Sequence, residues 1–271
     1  MKNDLDDIDE MTRWFVGTMG FGYKPWQGTF YPDKLPREQQ LPYYATHFNA
    51  LEMDSTFYGT PKAEYVARWQ AITPDDFQFC PKAPRIITHD LRLLAVEGVL
   101  TEFLDTMRLL GEKLGPIVFQ FPPDYRSDQH DNLEAFLREL PQDIRFAIEL
   151  RHRSWWNEAT ADMFRAINVC WVAADYIYLP KEIKRTSDFL YLRFLGRHGQ
   201  FATKTHEVID KSADLRQWRA AIEPHLEQAK AVYAFFNDDY AGHSPATANR
   251  FKSIVGLKVS SGDMPRQDRL L

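Results

Sequence analysis

The 271-residue chain has little cysteine: Cys80 and Cys170 stand alone inside apolar runs, with no CxxC spacing. Two isolated thiols provide no disulfide framework and no paired-cysteine metal or redox motif, and they fit a reducing compartment. No stretch approaches the roughly 18–20 apolar residues that a membrane-spanning helix needs. The opening MKNDLDDIDEMT is acidic and lacks the basic and apolar regions of a signal peptide, so a cytoplasmic protein without a membrane partner is expected. HxH and HExxH metal spacings are missing, as is a GxSxG elbow around Ser55 or Ser154. GTMGFG, after the first apolar run, has GxxGxG where a dinucleotide site needs GxGxxG. Nor is there a basic excess. With 33 Lys and Arg against 38 Asp and Glu, the net charge of −5 argues against non-specific duplex binding, which depends on clustered cations.

What the chain does have is apolar and aromatic mass, 44% and 14% of its residues, enough for a large core. Eight short β-rich runs recur: 15–18, 50–58, 77–84, 116–122, 145–152, 170–175, 189–196 and 232–238. Several are continuously apolar, the pattern of strands covered on both faces. Between them lie amphipathic stretches at 36–48, 62–72, 98–114, 131–140, 159–167, 213–229 and 245–255, with apolar residues three and four apart. YIYLPKEIKRTS, after the sixth run, contains Pro180 and no periodicity, so the helix there is expected to be missing or degenerate. Alternation of this kind predicts an α/β fold, a single (β/α)8 TIM-type barrel over residues 14–257. Loose tails are expected at 1–13 and 258–271.

A barrel of this type works at the carboxyl ends of its strands. Those ends carry Glu52, Asp54, Ser55 and Tyr58 on the second strand, Lys82 and Arg85 on the third, and Gln120 on the fourth. They carry Glu149, Arg151 and His152 on the fifth, Asp175 on the sixth, Arg193 on the seventh, and Asn237 and Asp238 on the eighth. Alternation points Ala147, Glu149 and Arg151 inward, opposite Phe146, Ile148 and Leu150. By the same parity Glu52 pairs with Asp54, Lys82 with Cys80, and Arg193 with Tyr191. Ionised groups are costly to bury unless paired or used, so their convergence predicts a cleft. The first loop adds Tyr23 and Trp26, and the fifth adds Trp155, as candidate stacking surfaces for a planar ligand.

Taken in order, these residues resemble the DUF72 family, also called UPF0759 or YecE-like. The matching motifs are Gly17-Thr18-x-Gly20-Phe21-x-Tyr23, Phe30-Tyr31-Pro32 and Tyr43-Tyr44-Ala45-x-His47-Phe48-Asn49. They continue with Glu52-x-x-Ser55-Thr56-Phe57-Tyr58, Lys82-Ala83-Pro84-Arg85, Gln120-x-Pro122-Pro123, Glu149-x-Arg151-His152-x-Ser154-Trp155 and Phe236-Asn237-x-Asp239. The resemblance spans roughly residues 14 to 256 and implies a TIM-type barrel but no reaction. Met19, Asp54, Arg153, Leu195 and Asp238 depart from the usual family pattern.

The favoured expectation is an enzyme that needs no cofactor and acts on a small anionic or ring-containing, sugar- or nucleotide-like substrate. Glu149, Lys82, Asp175 and Arg193 would carry the chemistry, with Glu149 as acid or base and the cations as an anion clamp. Tyr23, Trp26, Glu52, Tyr58, Gln120, Arg151, His152, Trp155 and Asn237 would bind the substrate. One alternative is a metal-dependent hydrolase or isomerase with Glu52, Glu149, Asp175 and His152 as ligands. Another is a non-catalytic protein that binds a nucleotide or single-stranded nucleic acid.

Overall fold

The computed structural model describes residues 12–260. Among these residues nine strands, all parallel to their neighbours, form two sheets. They are β1 (Arg13–Met19), β2 (Ala50–Met53), β3 (Gln78–Pro81), β4 (Ile117–Gln120), β5 (Phe146–Glu149), β6 (Cys170–Trp171), β7 (Ala173–Asp175), β8 (Phe189–Phe194) and β9 (Ala231–Phe236). The larger sheet runs β3-β2-β1-β9-β8-β7 and the smaller runs β4-β5-β6. The fold is therefore α/β with purely parallel sheets. The expected single eight-stranded ladder is interrupted twice. Where β3 and β4 should pair, the described residues form two isolated bridges at the strand ends, Phe79 with Leu114 and Lys82 with Val118. The expected sixth strand breaks at Val172, whose N–H turns to the carbonyl of Ile148 at 3.0 Å.

Seven helices fall where the periodicity puts them: α1 (Arg37–Ala45), α2 (Ala63–Ala71), α3 (Glu97–Arg108), α4 (His130–Arg138), α5 (Glu158–Ala166), α6 (Ser212–Ile222) and α8 (Ser244–Ile254). A short α7 (Asp238–Ala241) lies between β9 and α8. Residues 176–187 contain no helix, as the proline and the lost period predict. Of the expected tails, most lies outside the described residues. The described part of the first is tied down: Thr12 donates to the carbonyls of Leu226 (2.6 Å) and Ala229 (2.8 Å), and Arg13 opens β1.

Side chains on the two faces of the strands enter two separate apolar clusters. Phe146, Ile148 and Leu150 pack with the helices. Phe15, Ala50, Cys80, Val118, Ala147 and Tyr191 join the other cluster, to which every strand contributes. This is the predicted parity, and both thiols lie buried within that second cluster. Gly17 shows why the first motif needs its glycine. A Cβ there would stand 1.9 Å from the Ala50 carbonyl oxygen and 2.7 Å from the Tyr44 hydroxyl. That hydroxyl accepts from Thr18 N–H at 2.8 Å and donates to the Ala50 carbonyl at 3.0 Å, pinning α1 across β1 and β2. Among the described residues no helix is long and apolar enough to cross a membrane.

Candidate functional site

At the carboxyl ends of β2, β5 and β8, three inward side chains meet. Arg193 donates from Nε to Glu52 Oε2 at 3.0 Å, from Nη2 to Glu52 Oε1 at 2.7 Å, and from Nη1 to Glu149 Oε2. The other oxygen of Glu149 accepts from Arg151 Nε at 2.5 Å, and Tyr191 donates its hydroxyl to Glu52 at 2.8 Å. Glu52, Glu149 and Arg193 are almost wholly buried. Bidentate pairing repays the cost of burying the guanidinium, as a single contact would not. Burial alone would raise the Glu149 carboxyl, but the guanidiniums of Arg151 and Arg193 outweigh it and hold it down to about 2. At Glu52 burial wins over Arg193 and raises the carboxyl, with Asp54 adding to the rise.

A cavity of about 1120 Å³ opens beside this network, above the ends of β1, β2, β3 and β9. Its polar wall includes Lys82, Asp54, Asn237, Asp239, Lys204 and Tyr23, and its aromatic wall includes Phe57 and Tyr58. Lys82 Nζ stands 3.7 Å from Asp54 Oδ1 and 4.1 Å from the centre of the Phe57 ring. Its side chain keeps only 11% of its surface exposed. Burial, and then the neighbouring Arg193, push its pKa down against the pull of Asp54, Glu52 and Glu149. A 3-10 turn, Asp54–Tyr58, replaces the outer half of the expected second strand. Thr56 fixes it by donating to the carbonyls of Met53 (2.7 Å) and Lys82 (2.6 Å), which brings Phe57 over the lysine. Across the opening, Lys204 pairs with Asp239 at 2.9 Å, and the Gly199 N–H donates to the same carboxylate at 3.2 Å.

The match to known proteins falls on this same frame. Residues 15–269 match the family described as Protein of unknown function DUF72. The chain belongs to the DUF72 family. The UPF0759 protein YunF of Bacillus subtilis is 26% identical over 282 residues, covering 93% of this chain and 98% of that one. The UPF0759 protein YecE of Escherichia coli K12 is 38% identical over 109 residues, and the chain spans 40% of that relative's length. Among solved structures, a DUF72 family protein from Thermotoga maritima has a TM-score of 0.75 at 27% identity, covering 90% of this chain and 99% of that one. One from Enterococcus faecalis has the same TM-score at 22% identity, covering 91% and 97%.

In this DUF72 protein the expected site residues divide into three groups. Tyr23, Tyr58, Lys82 and Asn237 line the cavity. Glu52, Glu149, Arg151 and Arg193 converge, but as a network in which the carboxylate oxygens are taken by guanidiniums. Glu149 does not line the cavity, and at a pKa of about 2 it is a fixed anion rather than a poised acid. The third group lies elsewhere. Asp175 points away from the cavity, because parity gives the inward place to Ala174; it accepts from Trp218 (2.9 Å) and Tyr240 (2.8 Å) under α6. Trp26 and Trp155 expose 0% of their surface, so neither offers a stacking face. Trp26 Nε1 donates to Asp238 at 3.2 Å, and Trp155 Nε1 to the Tyr125 carbonyl at 2.8 Å. Buried Gln120 donates to the Phe121 carbonyl at 2.6 Å, and His152 accepts from the Ser154 N–H at 3.1 Å.

The four candidate metal ligands Glu52, Glu149, Asp175 and His152 therefore do not face one point. Among the described residues no group of three or more His, Cys, Asp or Glu is arranged to hold a metal ion. Sequence reasoning missed Phe57, Lys204 and Asp239 as part of the wall. Phe57 and Asp239 stand in family motifs and were within reach. Lys204 lies in the aperiodic segment after β8 and carried no signal.

Proposed function

We propose that this protein is an enzyme that binds a small ring-containing or anionic molecule in the cavity. Its chemistry would run at the Lys82–Asp54 pair, with Glu52, Glu149 and Arg193 holding that pair in place. The observation that carries this reading is the position of Lys82: a nearly buried amine in the wall of a large concave site, beside an ionic network. Concave sites of this size with a few convergent polar groups are where ligands of metabolite size bind. Phe57 and Tyr58 supply flat faces for a ring, and Lys204 supplies positive charge for an anionic group. The reading also treats the two sheets as the staves of one closed TIM-type barrel, a single domain. The bridges between β3 and β4 and the apolar cluster shared by every strand support that closure.

The test is a thermal-shift screen of sugars, nucleotides and phosphorylated metabolites on the wild type and on Lys82→Gln. A compound that raises Tm in the wild type is expected to lose at least tenfold in affinity in the variant, about 1.4 kcal/mol. Unchanged affinity in Lys82→Gln overturns the assignment of the cavity.

A further inference from the structure

A buried lysine and a nearly buried one are treated in opposite ways. Lys113, at 5% exposure, donates to the carbonyls of Gln70 (2.6 Å) and Thr73 (2.7 Å), the ordinary way to satisfy a buried ammonium. Lys82 Nζ donates no hydrogen bond to the described residues: Asp54 at 3.7 Å is beyond hydrogen-bond reach, and Phe57 offers only its ring face. The anions that would otherwise hold it are committed to Arg193, which binds Glu52 and Glu149 directly and stands 3.9 Å from Asp54. A desolvated lysine beside a fixed cation is the arrangement that favours a neutral, nucleophilic amine.

We propose that Lys82 is the nucleophile of an imine-forming site and that the cavity takes a small aldehyde or ketone. This rests on the cavity being the substrate site, and it names the substrate class. The Nζ lone pair adds to the carbonyl carbon, giving a carbinolamine. The carbonyl oxygen then leaves as water with the two hydrogens of the amine, and a C=N bond joins Lys82 to the former carbonyl carbon. Asp54 is the nearest group able to carry a proton from nitrogen to the departing oxygen. The other charged groups around the amine are Arg193, Glu52 and Glu149, with His89 against the Phe57 ring; burial, and then Arg85, Lys82 and Arg151, hold that imidazole at about 4. At neutral pH His89 is uncharged, so it adds no second positive charge to that of Arg193 beside the amine.

Sodium borohydride trapping tests the step on the full-length protein, with pyruvate and glycolaldehyde as separate probes. Intact mass and peptide mapping follow the reduced adduct at short times. The expected result is an adduct at Lys82 forming several-fold faster than at the exposed Lys62 and Lys230, and its loss in Lys82→Arg, which keeps the charge. The rate comparison within the wild type stands even if a variant misfolds. Adducts spread evenly over surface lysines overturn the proposal. If that happens while ligands of the thermal-shift screen still depend on Lys82, the imine step fails and the binding site survives.

Discussion

Arg193 decides more than any other side chain here, because it places one positive charge between two buried carboxylates. Removing it leaves buried Glu52 with only the Tyr191 hydroxyl and buried Glu149 with only Arg151. Arg193→Met is therefore expected to lower unfolding free energy by about 3–5 kcal/mol, measured by urea denaturation. Glu52→Gln, which keeps the shape and leaves the Glu149 pair intact, should cost less. A loss below about 1 kcal/mol in Arg193→Met would show that the network adds nothing to the fold. The inward direction of Glu52, Glu149 and Arg193 was legible, because strand parity alone fixes it. Their mutual saturation was not, since it depends on which strand ends face one another across the sheets. Trp26 and Trp155 were misread for a related reason. An indole in a loop sequence reads as surface until Asp238 or the Tyr125 carbonyl is seen to take its N–H.

At the level of elements, the β1–β2–α1 junction is the tightest contact that the site depends on. It sets the ends of β1 and β2 in register, with Met19 opposite Glu52. Gly17→Ala would drive a methyl group into the Ala50 carbonyl, breaking either the β1–β2 pairing or the Tyr44 hydrogen bonds. The expected cost is about 3 kcal/mol, read as a fall in Tm. Gly98→Ala in α3 is the control: a Cβ there meets nothing within 4 Å, and the substitution should be neutral or stabilising by about 1 kcal/mol. Similar losses in both variants would remove the argument. Gly196, at the carboxyl end of β8, makes a second close approach. Its φ of +66° and the Asp239 carbonyl, 1.9 Å from a built Cβ, admit only glycine.

Over the whole molecule, titration links the interior to stability. His243 is buried against Trp26 and, through burial first, is held at about 4. The unfolded chain binds a proton near pH 6.5 that this histidine refuses, so its stabilising contribution is full above that pH and is lost as pH falls toward 4. Unfolding free energy should drop by about 1–3 kcal/mol across that window, and the slope should flatten in His243→Gln. Equal slopes in the two proteins would show that His243 does not set it. Glu149 acts lower, its contribution disappearing between about pH 4.5 and 2 as the carboxylate protonates and frees Arg151 and Arg193.

The sequence by itself determined the class of fold, the strand and helix order, the gap after the sixth run and the inward faces of the second, third, fifth and seventh strands, because local periodicity encodes all of these. It also carried the family in its motifs. Only the tertiary structure decided which inward polar groups neutralise one another and which are left to face a cavity. Glu149 became a clamped anion, Asp175 a buried acceptor under α6, and Lys82 an amine in the cavity wall that donates no hydrogen bond to the described residues. The physical reason is that solvation and pairing depend on distances between residues far apart in the chain, such as the 139 positions separating Tyr191 from Glu52, and no local pattern contains them.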